Sequence, residues 1–499
     1  MKSMIGINLM LAFNFFGTFP LNESNILVEF SGNPSGFLGK LMTKEKQTSP
    51  ELLSPAGSLK NMRYAFAYGA DAVYAGQPRY SLRVRNNEFN LETLKLGIEE
   101  AHALGKRFYA VFNIQPHNSK LRTFIRDLEP IILMAPDALI MSDPGLIMMA
   151  RAAFPQMDIH LSVQANTVNW ASVKFWESQG LTRVIVSREL SLEEIEEIRQ
   201  KCPNMEIEVF VHGALCMAYS GRCLLSGYMN RRDPNQGTCT NACRWGYNIE
   251  HGKEDDSGQI VEQLDSQSLQ NVVQVKPHKQ PPTCAGESGD SVVLLSENRR
   301  PDEKMAAYED EHGTYIMNSK DLRAVQHIER MSKMGIHSLK IEGRTKSFYY
   351  CARTAQVYRK AIDDAVSGKP FDESLMETLK GLAHRGYTEG FLKRHAHSTY
   401  QNYDHGYPAS DSQKFVGEFT GKRQGDLAEV KVKNKFCTGD SLELMTPGGN
   451  IWFTLRFMQD QKQRSINEAK GSGHFVFIPV PQNHDLEFAL LVRDLSPRK

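Results

Sequence analysis

Four cysteines in one short segment carry the strongest chemical signal in this sequence. They lie within 28 residues, in the spacing C-x6-C-x15-C-x3-C, at Cys216, Cys223, Cys239 and Cys243. Thiolates bind soft metal ions, so four converging cysteines suit either a zinc ion or an iron–sulfur cluster. Both kinds of site remain open on residue type alone.

The spacing favours a cluster over structural zinc. Structural zinc sites usually have two tight C-x2-4-C pairs, and here only Cys239 and Cys243 are that close. A multi-iron cluster is wider than one ion and tolerates the longer C-x6-C interval. The C-x3-C-x2-C run of radical enzymes does not occur, and half of the eight cysteines fall in this one segment. Inert packing residues are therefore the weaker interpretation for these four.

Short apolar runs alternate with amphipathic stretches along the chain, and the strands and helices that they predict must position the four cysteines. The runs are rich in Val, Ile, Tyr and Phe and span 51–53, 72–74, 108–113, 138–142, 159–164, 183–187, 206–213 and 338–343. Helical patterns lie between them, as in 190–201. Eight such units predict an α/β fold, a TIM-like (β/α)8 barrel, with an open doubly wound sheet as the alternative. No glycine-rich dinucleotide or P-loop motif is found.

Polar residues follow many of the predicted strands. Reading along the chain, they are Asn113, Asp143, Gln164, Asn166, Arg188, Glu189, His212, Glu342 and Arg344. In a parallel barrel the carboxyl ends of all strands meet at one face, which carries the chemistry. Loops are polar in any case and some of these residues suit helix N-caps, but their recurrence in register predicts a shared mouth.

The segments outside the predicted barrel have different sequence patterns. The expected organisation is an N-terminal extension at 1–50, the barrel at 51–250 and 306–385, a flexible insertion at 251–305, a linker at 386–414 and a small antiparallel β-barrel domain at 415–499. The run Met4 to Phe19 is apolar but lacks a clear signal-cleavage site and is too short to span a membrane. We expect a cytoplasmic protein without a membrane segment.

The charge balance excludes nucleic-acid binding through bulk charge. Lys plus Arg number 59 and Asp plus Glu number 58, giving a formal net charge of +1. A local basic patch remains compatible with this balance. One candidate is a basic face on the C-terminal domain, formed by Lys422, Arg423, Lys431, Lys433 and Lys435. Such a face is equally often simply solvated.

The cysteine segment also carries a family signature. The stretch from Glu208 to Ser226, EVFVHGALCMAYSGRCLLS, matches every fixed position of E-x-F-x2-G-(S/A)-x-C-x4-G-x-C-x2-S. This pattern resembles the U32 peptidase, or collagenase-like, family, and the likeness points to its tRNA-hydroxylating branch. The stretches 51–76 and 341–363 resemble the same family. The resemblance covers about 51–250 and 305–499.

This resemblance implies a function that the residues alone do not show. It implies prephenate-dependent formation of 5-hydroxyuridine at the wobble position of tRNA, without dioxygen. It further implies an iron–sulfur cluster, expected to be four-iron, four-sulfur, on Cys216, Cys223, Cys239 and Cys243. Other members of the family hydroxylate ribosomal RNA. A peptidase, as in the family's name, is the rival class, although no Gly-x-Ser-x-Gly elbow or His-Glu-x-x-His zinc motif occurs.

Candidate roles follow from the chemistry of such a reaction. A dicarboxylate needs arginine, so Arg188 and Arg344 are the first candidates, with Arg79 and its neighbours Arg83 and Arg85 as alternatives. Proton transfer at the mouth is assigned to Glu189, His212 and Glu342; His212 could instead support the cluster. A flipped uridine could stack on Tyr219 or Tyr349, unless these are core residues.

Overall fold

The first seven strands alternate with helices. The computed structural model describes residues 49–77, 79–82, 87–215, eight positions between 221 and 240, strands within 247–307, and residues 320–384, 386–393, 412–471, 473–481 and 484–495. The strands are β1 Glu51–Pro55, β2 Ala72–Gly76, β3 Arg107–Phe112, β4 Ala138–Met141, β5 Ile159–Leu161, β6 Arg183–Ile185 and β7 Glu206–Ala214. The helices are α1 Leu59–Ala67, α2 Leu91–Ala103, α3 Asn118–Leu121, α4 Phe124–Ile132, α5 Pro144–Ala153, α6 Trp170–Ser178 and α7 Leu192–Lys201.

Side-chain caps fix where many of these helices begin. Ser58, Asn90, Asp143, Asn169 and Ser191 each accept a hydrogen bond from the backbone N–H of the first turn. Each cap satisfies an N–H group that would otherwise lack a partner, which typically contributes about 1 kcal/mol. These caps therefore fix the start of the helices that follow β1, β2, β4, β5 and β6.

The predicted insertion contains strands. Here lie β8 Tyr247–Glu254, β9 Ile260–Glu262, β10 Ser291–Glu297 and β11 Arg300–Ala307, and they pair antiparallel in the order β11-β10-β8-β9. These strands overlap the insertion expected at 251–305, whose bounds and flexibility stay predictions. Apolar β-branched residues, as in SVVLLSE of β10, supply the strand-forming pattern. The intervening residues lie outside the described part of the chain.

The eighth barrel strand follows this insertion. The elements are β12 Asp321–Arg323, α8 Ile328–Lys333, β13 Ser338–Ile341, α9 Phe348–Val366, α10 Ser374–Lys380 and β14 Tyr387–Thr388. Strand β13 pairs in parallel with both β1 and β7, so β1 to β7 and β13 form a closed barrel of eight parallel strands. The TIM-like fold is thereby confirmed. Past this closure the end of β7 pairs antiparallel with β12.

An antiparallel sheet domain completes the chain. Its strands are β15 Gln413–Gln424, β16 Leu427–Val432, β17 Phe436–Cys437, β18 Ser441–Thr446, β19 Gly449–Thr454, β20 Gln459–Asp460, β21 Glu468–Ala469, β22 Phe475–Pro479 and β23 Leu490–Asp494. Seven of them form one sheet in the order β19-β18-β23-β15-β16-β22-β20. The antiparallel C-terminal domain is confirmed, whereas the exact domain boundaries stay predictions. Within the described residues, no helix is long and apolar enough to cross a membrane.

A buried ion pair fastens this domain to the barrel. Arg353 on α9 is fully buried and donates to both carboxylate oxygens of Glu443 on β18, at 3.0 and 2.5 Å. Nearby, the Tyr68 hydroxyl donates to the carbonyls of Met445 and Phe488 at 3.0 Å. The barrel and the C-terminal sheet therefore share a continuous packed interface along α1 and α9.

Removing one partner of this pair should destabilise the protein strongly. We expect Arg353→Met to lower the free energy of unfolding by about 3 kcal/mol, because Glu443 would keep its charge inside the interface without a cation, held only by the Asn450 amide. The double variant Arg353→Met/Glu443→Leu should recover most of that loss. Urea denaturation of the three proteins measures both values. A double variant no more stable than the single one would contradict the explanation.

Candidate active site at the mouth of the barrel

The carboxyl ends of the barrel strands surround a cavity of about 70 Å³. Its polar lining comes from five different strands or the turns after them. The residues are Tyr74, Asn113, Ser162, Gln164, Arg188, Lys340, Glu342 and Arg344. Five of these eight, Asn113, Gln164, Arg188, Glu342 and Arg344, belong to the set that the sequence places at strand ends. The closed barrel brings them together from positions far apart in the chain.

Arg188 and Glu342 face each other across this cavity. The Nη2 atom of Arg188 lies 3.6 Å from Oε2 of Glu342. The guanidinium of Arg188 also covers the Phe210 ring, 3.9 Å from its centroid. The Tyr74 hydroxyl donates to the Ile341 carbonyl at 2.9 Å and lies 3.3 Å from Oε2 of Glu342. Glu342 is thus held between a cation and a hydroxyl, in reach of a ligand.

Arg344 reaches the same cavity through a gap left by a glycine. Its Nη2 atom donates to the Leu82 carbonyl at 2.8 Å, and the residue is only 8% exposed. A Cβ atom on Gly76 would lie 2.4 Å from Nη1 of Arg344. Any larger residue at this position would push the guanidinium aside. The glycine at the end of β2 therefore makes room for a buried cation.

Lys340 is a third cation that sequence reasoning missed. It is 3% exposed, and its Nζ atom lies 2.7 Å from Oε1 of Glu208 and 4.2 Å from the centroid of the Tyr74 ring. Burial lowers its pKa, which the Glu208 carboxylate opposes. A lysine inside the apolar run SLKI was the available signal. Its position within β13, and not after a strand, sets it apart from the residues predicted at the strand ends.

Glu208 joins this lysine to a buried network inside the barrel. The carboxylate is fully buried and also lies 3.1 Å from Nη1 of Arg183. Arg183 in turn pairs with Glu51 at 2.6 Å. Arg183 has further carboxylate partners in Glu51 and Glu206, so Glu208 mainly balances the charge of Lys340. The cavity itself is lined by the cations Arg188, Lys340 and Arg344 and by the carboxylate of Glu342, an arrangement that suits an anionic ligand.

The other predicted proton-transfer residues lie apart from this cavity. His212 is 1% exposed, and its Nδ1 atom lies 3.2 Å from the Tyr358 hydroxyl. Its ring also contacts the rings of Tyr350 and Tyr387. Glu189 is half-buried beside Arg188 and is not among the described residues that line the cavity. Their catalytic roles stay predictions that the geometry does not strengthen.

Two predicted ligand-binding residues also lie elsewhere. Tyr349 is 7% exposed, and Phe415 of the C-terminal domain stacks on its ring with centroids 4.9 Å apart. One ring face is therefore unavailable to a base. Arg79 lies on the rim of the mouth, where Nη1 is 2.6 Å from Oδ2 of Asp127. Tyr219, Arg83 and Arg85 are outside the described residues.

The cysteine segment is packed against the mouth. Cys223 and Cys239 are half-buried, whereas Cys216 and Cys243 lie outside the described residues. The Asn235 side chain donates to the Cys223 carbonyl at 3.2 Å, and the backbone N–H of Gln115 donates to the Asn235 carbonyl at 3.1 Å. A Cβ atom on Gly221 would lie 2.2 Å from the Gln164 carbonyl. This glycine allows the segment to approach the strand ends closely.

A further contact joins the two stretches of chain that carry the described cysteines. The Ser226 hydroxyl lies 2.9 Å from the Thr240 hydroxyl and accepts from the Thr240 backbone N–H at 2.9 Å. Ser226 is three residues after Cys223, and Thr240 directly follows Cys239. Among the described residues, no group of three or more His, Cys, Asp or Glu side chains is placed to hold a metal ion. The four-cysteine ligand set itself stays a prediction, because two of its members are not described.

Burial of His212 predicts a loss of stability in acid. Desolvation, aided by the cations Lys346 and Arg323, lowers its pKa from 6.5 to about 3. Below about pH 6.5 the unfolded chain binds a proton at His212, whereas the folded chain keeps this histidine neutral. The free energy of unfolding therefore falls as the pH drops from 6.5 towards 3. We expect His212→Gln to flatten this fall by up to about 1.4 kcal/mol per pH unit. Urea midpoints between pH 4 and 8 measure it; parallel curves would contradict the explanation.

The fold and the site define a TIM-barrel protein with a charged cavity at the carboxyl ends of its strands and an antiparallel C-terminal domain. Two family models match this chain: Peptidase family U32 over residues 57–402 and Peptidase family U32 C-terminal domain over residues 411–493. The chain belongs to peptidase family U32, which confirms the resemblance carried by the signature.

Individual relatives narrow the comparison. The chain is 71% identical over 447 residues to a protein of Escherichia coli (strain K12) named tRNA hydroxylation protein P, covering 90% of this chain and 97% of the relative. It is 68% identical to the protein of the same name from Haemophilus influenzae, with the same coverage of 90% and 97%. A 23S rRNA 5-hydroxycytidine synthase of Escherichia coli is 28% identical, covering 88% of this chain and 59% of the relative.

Proposed function

We propose that this protein is a tRNA-modifying enzyme that hydroxylates carbon 5 of the wobble uridine to form 5-hydroxyuridine in the cytoplasm. The observation that carries this proposal is the identity of 71% and 68% to two relatives named for tRNA hydroxylation, along 97% of their length. The cavity at the strand ends is the candidate active site for such a reaction. The finer statements, on uridine, prephenate and the cluster, rest on the family resemblance and the chemistry of the site.

Prephenate is the proposed co-substrate, and the charges of the cavity support it. Prephenate carries two carboxylates, and arginine binds carboxylates with two parallel hydrogen bonds. Arg188 and Arg344 line the cavity together with Lys340, while Glu342 is the one carboxylate among its described lining residues. Two carboxylates entering this cavity would meet three cations. The excess of positive charge favours a dicarboxylate over a neutral ligand.

An iron–sulfur cluster is the proposed cofactor, held by Cys216, Cys223, Cys239 and Cys243. When bound, such a cluster supplies electron transfer or Lewis-acid chemistry to a reaction that uses no dioxygen. The contacts of Gly221 and Asn235 place the cysteine segment beside Gln164 and Gln115 at the mouth. A cofactor in this segment would therefore adjoin the charged cavity.

Within the cavity, Glu342 is the residue best placed to hold or move a proton. Its carboxylate lies 3.6 Å from Arg188 and 3.3 Å from the Tyr74 hydroxyl, and burial raises the pKa of that hydroxyl well above its usual range. Tyr74 therefore stays protonated, and its proton is donated to the Ile341 carbonyl. Glu342 is left as the acceptor for a proton released from carbon 5 of the base.

Nucleoside analysis tests the proposed function. Total RNA from a strain lacking the gene, complemented with this chain or with an empty vector, is separated into tRNA and rRNA and digested. We expect 5-hydroxyuridine in tRNA only with the complementing chain. If the new nucleoside were 5-hydroxycytidine in rRNA, the chain would act like its 28% identical relative. If only cleavage of collagen fragments were gained, the peptidase alternative would hold.

The arginines of the cavity give a second test of co-substrate binding. We expect Arg344→Lys to raise the KM for prephenate by about 10- to 100-fold, because lysine keeps the charge but loses the paired hydrogen bonds, worth about 1.5–3 kcal/mol. The kcat should change less than the KM. Arg330→Lys is the matched control, since Arg330 pairs with Glu193 and Glu196 on the outer surface. Equal KM values for both variants would contradict this role of Arg344.

A further inference from the structure

A cluster of cations lies on the rim of the mouth, outside the lining of the cavity described above. It comprises Arg79, Lys120, Arg122 and Arg126, and we call it the basic rim. The first lies after β2, and the other three lie in the connection from β3 to α4 and in that helix. The side chains of Arg79 and Arg126 are 45% and 73% exposed, and Arg122 is exposed as well.

The basic rim carries an excess of positive charge. Arg79 and Arg126 share one carboxylate, Asp127, at 2.6 and 3.4 Å. That carboxylate also accepts from the Tyr80 and Thr123 hydroxyls, at 2.8 and 2.9 Å. The Lys120 ammonium donates to the Arg79 carbonyl at 3.1 Å. Among the described contacts of the rim, Asp127 is the single carboxylate that pairs with any of the four cations, and its accepting positions are largely used.

Holding like charges close together costs free energy, so the cluster of cations in the basic rim indicates a binding partner of opposite charge. Burial and the Arg79 cation both lower the pKa of Lys120, as expected where cations crowd. The predicted basic face of the C-terminal domain differs in this respect. There Lys422, Lys433 and Lys435 lie 3.8, 3.5 and 2.9 Å from their own carboxylates. Of these two basic surfaces, the rim is therefore the better candidate for a polyanion.

The rim is connected directly to the cavity. Residues 79–82 carry Arg79 at one end, and at the other end Leu82 lines the cavity and accepts from Arg344. The backbone N–H of Ile114 donates to the Tyr80 carbonyl at 3.2 Å, and its neighbour Gln115 contacts the cysteine segment through Asn235. A chain of linked nucleotides with one base in the cavity would therefore pass the rim.

We propose that the basic rim binds the phosphodiester backbone of the RNA substrate, next to the nucleotide whose base enters the cavity. This inference rests on the proposed function and adds the surface that recognises the RNA. Guanidinium groups bind phosphates with paired hydrogen bonds, and single-stranded loops expose both backbone and unstacked bases. With a net charge of only +1, attraction of RNA must come from such a local patch.

The triple variant Lys120→Gln/Arg122→Gln/Arg126→Gln tests the rim. Binding of unmodified tRNA is measured under anoxic conditions across a range of salt concentrations. We expect the plot of log affinity against log salt to lose about 2 units of slope, from three lost contacts at about 0.7 each. Affinity at 0.1 M salt should fall at least tenfold. The KM for tRNA should rise while kcat at saturating tRNA stays within twofold.

A second triple variant matches the change in charge at the opposite face. Lys106→Gln/Lys201→Gln/Lys369→Gln also removes three cations. Lys106 follows the end of α2 and Lys201 is the last residue of α7, each shortly before the next strand, and Lys369 lies beyond the end of α9. That face is the one opposite the mouth. We expect its salt slope to equal that of the unmodified protein. Equal losses in both triple variants would overturn the rim as a specific site.

The readouts separate this inference from the proposed function. If the unmodified protein forms 5-hydroxyuridine and the rim variant binds tRNA with unchanged salt slope, the inference alone fails. If the unmodified protein neither binds nor modifies tRNA, both fail. Inorganic phosphate at millimolar concentration serves as a competitor: we expect little displacement, whereas full displacement of tRNA would show that the rim is a site for free phosphate and would overturn the proposal.

Discussion

Replacing Cys239 by serine is expected to abolish RNA hydroxylation and to lower the iron content of the anoxically purified protein severely. The serine hydroxyl keeps nearly the same shape but is a poor ligand for iron, whereas a thiolate binds it strongly. Cys239 directly precedes Thr240, which is hydrogen-bonded to Ser226 near Cys223. Iron and acid-labile sulfide per chain, together with 5-hydroxyuridine in tRNA, measure the effect.

Cys437→Ser is the matched control for this experiment. Cys437 is also half-buried, but it lies in β17 of the C-terminal domain, paired with β21 and outside the barrel. We expect this variant to keep its iron and its activity. A thermal unfolding curve of each protein without the cluster separates loss of a ligand from loss of the fold. Full iron content in the Cys239 variant would contradict the proposed ligand set.

The barrel was predictable because its physical signal is local and repeated. Each buried strand is a short apolar run, and several helices start at a residue such as Ser58 or Asp143 that caps them. Once eight such units close into a parallel barrel, geometry alone brings Asn113, Gln164 and Arg188 to one mouth. Their convergence therefore follows from topology and needs no contact to be known in advance.

The positions of His212 and Lys340 were not predictable in the same way. His212 follows the expected rule of lying near a strand end, but β7 continues past the barrel closure and pairs with β12. The ring is consequently covered by Tyr358 and its neighbours. Lys340 lies inside a strand, where the sequence cannot show whether a side chain points into the barrel or towards the helices. Both outcomes depend on the register between strands distant in the chain.

The same limit explains the buried charges beneath the cavity. Glu208 is a fixed position of the family signature, which in sequence suggests a functional site. In the structure it is fully buried on β7, 3.1 Å from Arg183 and 2.7 Å from Lys340. Its partners lie 25 and 132 residues away in the chain. Only the closed barrel reveals that this residue supports the cavity from below.

Glu208→Gln should therefore produce the largest loss of stability of the variants considered. The change keeps the shape of the side chain but leaves Arg183 with less compensation and Lys340 without its carboxylate. Breaking one buried ion pair costs about 3–5 kcal/mol, and here two cations are affected at once. We expect the free energy of unfolding to fall by about 5 kcal/mol, measured by urea denaturation at pH 7.

The neighbouring Glu206 supplies a control on the same partner. It also pairs with Arg183, at 2.8 Å, but its side chain is 43% exposed, so water compensates for its loss and Glu206→Gln should cost less than about 1 kcal/mol. If both variants were equally stable, Lys340 would have lost its proton when its partner was removed. Unfolding of the Glu208 variant would then take up a proton that unfolding of the unmodified protein does not, and this uptake would reveal a neutral lysine in the cavity. The proposed dicarboxylate ligand would in that case be supported by the two arginines alone.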